Sequence, residues 1–220
     1  MNLNNYTEDR ICREMGLPGF TSDPLIENSF LAVRLLLKPS FHPELGISVI
    51  ISGPEALLQT AALGEQLWTL PSAAWHPSFA IETQEFSRNE GERMVSATES
   101  AFLSLGGSGK SRGMTLIDGM PFVLAFIKKG WPALFQGNAC APQFGEIIKP
   151  YLQLAWEHAN DEICKRAIHS ASRYVGLNLP PLEANHHTPA TRLLFLGNQQ
   201  ETQQVINAVR AMQTKKTPDN

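Results

Sequence analysis

The stretch NSFLAVRLLLKPSFHPELGISVIISG, Asn28 to Gly53, sets the fold class. Two apolar runs, about residues 29–37 and 47–52, flank a Pro- and Gly-containing loop around Phe41, His42 and Pro43. Short apolar runs bounded by turn residues read as strands, and a loop this short joins them as an antiparallel pair.

Towards the N-terminus, residues 7–15 read as a short helix. Thr7 is its N-cap, Glu8 and Asp9 favour the positive end of the dipole, and Gly16 and Pro18 stop it. Towards the C-terminus, Pro54 at a first helical position, followed by Leu57, Leu58, Ala61, Ala62, Leu67 and Trp68, predicts a helix up to Pro71. SFAIETQEFS, Ser78 to Ser87, alternates Phe79, Ile81 and Thr83 on one face and predicts a strand. Ser87 to Glu90 fits a capping box, and Met94, Thr98, Ala101, Phe102 and Leu105 line one face of the helix behind it.

Beyond a Gly/Ser loop, residues 113–138 carry turn signals at Asp118-Gly119 and at Lys128 to Gly130 between apolar runs, which predicts a three-stranded meander. Pro121 donates nothing to a ladder, so its strand belongs at an edge or pairs only beyond it. From Gln143 the pattern turns helical: a short turn before Pro150, then a main helix over about 150–175 ended by Gly176. Ile148, Leu152, Ala155, Trp156, Ala159, Ile163, Ala167 and Tyr174 share its apolar stripe. An apolar run from Leu193 to Leu196 precedes a last helix capped by Asn198, with Val205, Val209 and Met212 inward.

These elements predict an α+β fold: a largely antiparallel sheet with helices packed on it, including one long helix in the C-terminal half. Residues 1–213 read as a single globular domain and 214–220 as a disordered tail.

A chain of 220 residues with 43% hydrophobic and 18% charged residues is ordinary globular material, able to bury roughly 70% of its unfolded surface. Its net charge of -3 lacks the basic excess of a nucleic-acid surface. The polar N-terminus lacks a signal-peptide pattern, and no apolar run approaches the roughly 20 residues of a membrane span. Cys12, Cys140 and Cys164 form no C-x-x-C pair. The expectation is a cytoplasmic protein with no membrane or nucleic-acid partner and no cofactor.

Two motifs compete for the loop 104–113. GSGKS, Gly107 to Ser111, ends like a phosphate loop, but the position five before Gly109 is Ser104 rather than glycine, and a helix rather than a strand precedes it. Gly109 to Gly113 fits G-x-S-x-G, but the nucleophile elbow also needs a strand before Ser111 and a helix after it. His158, Glu162, Lys165 and His169 fall along one helical side, where Lys165 spoils a metal site and a solvated, salt-bridged face is the better account. Two features suit a partner surface. Glu82, Glu85, Glu90 and Glu92 cluster at a strand-to-helix junction, and Trp75 sits in a Pro-flanked loop without apolar periodicity around it.

FLAVRLLLKPSFHPELGISVII and GMTLIDGMPFVLAFIKKGW together resemble poorly characterised bacterial cytoplasmic α+β proteins with an early Arg-bearing strand, a Phe-His-Pro turn and a later Asp-Gly hairpin. Some proteins of that look are immunity partners of toxins. The resemblance covers less than half the chain, coincides at Arg34, His42 and Asp118, and implies a non-enzymatic interaction role. That role is an immunity or adaptor protein neutralising or escorting a bacterial toxin or effector. Trp75, Glu82 and Glu85 are the candidate contacts, with no catalytic or metal residue. The alternative is a small hydrolase or transferase that uses the loop 104–113.

Overall fold

The structure, a computed structural model, describes residues 7–67, 77–105, 119–129 and 131–182. Its frame is one six-stranded antiparallel sheet, in the order β4-β3-β2-β1-β5-β6. The strands are β1 (Leu31–Leu37), β2 (Leu45–Ile51), β3 (Ala56–Leu63), β4 (Phe79–Phe86), β5 (Pro121–Lys128) and β6 (Trp131–Asn138). The opening pair is as expected, with Leu31 opposite Ile51 and Leu37 opposite Leu45. The α+β class holds.

Alternation gives the sheet two apolar faces, and each acquires its own cover. Val33, Leu35, Ile47, Val49, Leu124 and Phe122 face α3 (Arg88–Leu105), α4 (Pro142–His158) and α5 (Glu162–Tyr174). Leu36, Ile50, Ala61, Val123 and Ile127 face α1 (Glu8–Glu14), α2 (Pro24–Glu27) and the segment between them. On the first side Thr98 Oγ1 and Tyr151 OH lie 2.6 Å apart and join α3 to α4, while Phe102 stacks on Phe135 at 4.4 Å and joins α3 to β6.

On the second side the cover is held by a buried cation. Arg34 of β1 is 1% exposed and uses all five guanidinium donors. Nε donates to Ser48 Oγ (2.8 Å). Nη1 donates to the carbonyls of Gly19 (2.7 Å) and Phe20 (3.4 Å). Nη2 donates to Asp23 Oδ2 (2.6 Å) and Gln59 Oε1 (2.8 Å). Arg34, Ser48 and Gln59 are direct neighbours across β1, β2 and β3. Asp23 Oδ1 also caps α2 by accepting from Leu25 N at 3.0 Å. One side chain thus ties three strands to the α1–α2 segment.

Four expectations are corrected. Residues 56–63 form strand β3 rather than a helix from Pro54. Leucine, alanine and glutamine are good helix formers, but a slot between β2 and β4, buried on both faces, outweighs propensity. Gly53 and Pro54 sit in the four-residue connection Ser52–Glu55, between the paired residues Ile51 and Ala56. The remainder of that expected helix, 68–71, lies outside the described residues.

The three-stranded meander reduces to the hairpin β5–β6, because β1 takes the other edge of β5. Pro121 therefore begins an interior strand. Lys38 N donates to Pro121 O at 2.8 Å, and the proline's missing N–H falls on the last rung of that ladder, where its loss costs least.

The run 150–175 is two helices. The long helix is the 17-residue α4, with Pro150 inside it, and the chain breaks at Ala159 to Asp161 before α5. Asp161 caps α5, accepting from Ile163 N (2.7 Å) and Cys164 N (3.3 Å). Gly176, at φ 67°, follows the α5 C-cap as expected.

In β4 the apolar pair Phe79 and Ile81 lies on the more exposed face, 51% and 38% exposed, over Gly16 at the end of α1. Ala80 and Phe86 point into the core instead. The expected elements over 193–212, the tail 214–220, Asp118 and nearly all of the Gly/Ser loop lie outside the described residues.

Candidate protein-interaction edge

The polar groups inside the fold are engaged with one another. Among the described residues, every buried side-chain nitrogen or oxygen has a hydrogen-bond partner, and no group of three His, Cys, Asp or Glu is placed to hold a metal ion. Burial pushes the Cys12 and Cys164 thiols up to about 12, so both are protonated at neutral pH and are poor nucleophiles. His158, at the end of α4, meets Gln84 of β4 through its own Nδ1 (3.2 Å to Oε1), and its backbone carbonyl accepts from Gln84 Nε2. His169, on α5, lies 6.0 Å from the Trp156 ring. The break between α4 and α5 thus separates His158 from Glu162, Lys165 and His169, so the four do not share one helical side.

Glu82 of β4 turns inward. Its carboxylate accepts from Asn160 N (2.9 and 3.1 Å) and from Asp161 N (3.0 Å), clamping the α4–α5 break. Arg88 pairs with Glu92 at 2.8 Å and donates to the Gly53 carbonyl. Of the expected acidic cluster, Glu85 and Glu90 stay exposed and face solvent. Trp75 lies outside the described residues.

No family model, curated protein or solved structure matches the chain.

Among the described residues, no strand pairs beyond β4 or beyond β6, the two ends of the sheet. In an antiparallel ladder the residues of one strand direct their N–H and C=O alternately to one neighbour and the other. Gly64 N donates to Ser78 O at 2.7 Å, in the register that pairs Leu63 with Phe79. Ala80, Glu82, Gln84 and Phe86 therefore turn their backbone groups to β3, while Phe79, Ile81, Thr83 and Glu85 turn theirs outward. Those same four residues have exposed side chains.

The β4 edge is thus a row of outward donors and acceptors beside Phe79 and Ile81, ending in an acidic corner of Glu55, Glu85 and Glu90, all exposed. Residue-by-residue reading singles out Glu85 as a candidate but does not show this edge. Recognising it requires knowing that 56–63 is a strand and that, among the described residues, no strand lies beyond β4.

Proposed function

We propose that the chain is a non-enzymatic protein-binding module that takes up an extended segment of its partner as a seventh strand beside β4. The observation that carries this reading is the coincidence, on Phe79, Ile81, Thr83 and Glu85, of outward backbone groups with exposed side chains. Strand addition draws affinity from main-chain hydrogen bonds and specificity from alternate side chains. Phe79 and Ile81 offer apolar contact for alternate residues of the segment, and Glu85 with Glu90 selects a Lys or Arg at one end.

The resemblance to immunity proteins gives this role its concrete form: a cytoplasmic immunity or adaptor protein that occludes a basic, extended region of a toxin or effector. Two findings are compatible with a site outside any membrane and with an interface rather than a pocket. No helix among the described residues is long and apolar enough to cross a membrane, and at the α4–α5 break Gln84 bonds His158 while Glu82 bonds the backbone of Asn160 and Asp161.

The test compares Thr83→Pro with the unaltered chain for binding of its captured partner. Proline there removes one outward N–H that β3 does not use, so the fold is retained and binding is lost. Equal binding by a folded Thr83→Pro variant contradicts the reading.

A further inference from the structure

We propose that the opposite edge, β6, is where two copies of this chain pair, antiparallel about a two-fold axis beside Leu134. Ala139 N donates to Met120 O at 2.9 Å, in the register that pairs Leu124 with Phe135. By alternation, Phe135 and Gly137 turn their backbone groups to β5, and Leu134, Gln136 and Asn138 turn theirs outward. Pro132 falls in the outward set, so its lack of an N–H costs the β5 ladder nothing.

Natural edge strands are shielded from self-pairing by charge, inward-pointing ionic groups or bulges. The eight residues of β6, WPALFQGN, carry no charged side chain, and Leu134 is 56% exposed. The edge β4 carries the exposed Glu85, with Glu55 and Glu90 beside it, so β6 is the edge on which a second copy meets no like charge.

Charge also sets the orientation. Lys128 and Lys129 sit at the hairpin end of β6, and residues 137–143 at its other end are uncharged. Antiparallel pairing sets the lysines of each copy against the uncharged end of the other, whereas parallel pairing would stack four lysines together. With the axis at Leu134, its N–H and C=O bond those of its counterpart, and Gln136 N–H reaches the carbonyl of Pro132 across the axis. The two leucines meet on one face. This is an isologous contact that repeats one patch on itself. It is also small for a stable interface, so the dimer dissociates on dilution.

Sedimentation velocity on the full chain over a dilution series tests this, together with Leu134→Lys and Gln136→Pro. Both variants alter outward groups only, and circular dichroism verifies that they fold. The proposal requires a monomer–dimer equilibrium in the unaltered chain, a shift to monomer in both variants, and slower hydrogen exchange at the Leu134 and Gln136 amides at high concentration. A chain that is monomeric throughout the series overturns it, as does a dimer that survives both substitutions. This outcome is independent of the β4 reading, since neither substitution touches that edge.

Discussion

Arg34 Nη2 donates to Asp23 Oδ2 at 2.6 Å, with 2% and 3% of the two side chains exposed. A buried ion pair is weak evidence for stability by itself, because desolvation offsets its attraction, but breaking one partner leaves an uncompensated charge. Asp23→Ala is therefore expected to destabilise the fold by about 3–5 kcal/mol, read as a fall in the urea midpoint. Arg34→Lys retains the charge but loses the five-donor fork, leaving some of Ser48, Gln59 and the Gly19 and Phe20 carbonyls without donors. It is expected to fall on the same side, and an unchanged midpoint for either variant would remove the network from the account of the N-terminal cover.

Gly16 sits at φ +77°, and a Cβ there would come 2.7 Å from Phe79 Cε2 and 3.0 Å from Ile81 Cδ1. Gly16→Ala thus combines a left-handed backbone that alanine resists with a clash against the two apolar residues of the β4 edge. Its cost is expected to exceed about 1 kcal/mol in chemical denaturation, since an alanine incompatible with its backbone loses more than the entropy it saves.

Removing the Glu82 carboxylate leaves the N–H groups of Asn160 and Asp161 without their acceptor. Water can reach these amides once the carboxylate is gone, so Glu82→Ala is expected to cost about 0.5–1.5 kcal/mol, the net worth of an intramolecular hydrogen bond, and to speed hydrogen exchange at both amides. The same variant separates structure from binding. Weakened partner binding at full stability would return Glu82 to the contact surface.

His42 and His169 both have pKa values held below the ordinary imidazole range, first by burial and then by the Arg173 guanidinium. A depressed folded pKa means that the unfolded chain binds the proton more readily. The stability these histidines contribute is complete above pH 6.5, the unfolded value, and is lost as pH falls through the folded one. Urea midpoints are expected to drop between pH 7.5 and about 5.5, and His42→Gln with His169→Gln is expected to flatten that drop. His42 Nδ1 lies 3.0 Å from Tyr174 OH, so protonation also disturbs the contact between the β1–β2 loop and the end of α5 when Nδ1 is the acceptor.

Local signals carried the elements whose chemistry is local. Thr7 accepts from Arg10 N at 3.3 Å and starts α1, and the apolar runs around the Phe-His-Pro loop pair as β1 and β2. β3 was hidden because its residues favour a helix and only a place between two strands makes them a strand. The α4–α5 break was hidden because Asn160 and Asp161 interrupt an apolar stripe without ending it, and the carboxylate that clamps them comes from β4, 78 residues away in sequence from Asn160. Glu82 and Glu85 looked alike in the sequence, and strand alternation sends one to a backbone clamp and the other to solvent.

The most direct measurement is backbone hydrogen exchange across β4, with and without the partner captured from the native host. Strand addition at β4 requires that the bound partner slow exchange at Phe79, Ile81, Thr83 and Glu85, whose N–H groups face outward, while Ala80, Glu82 and Gln84, already bonded to β3, change little. It also requires that Thr83→Pro abolish the effect. Full binding with the four outward amides exchanging as in the free chain would contradict strand addition at this edge.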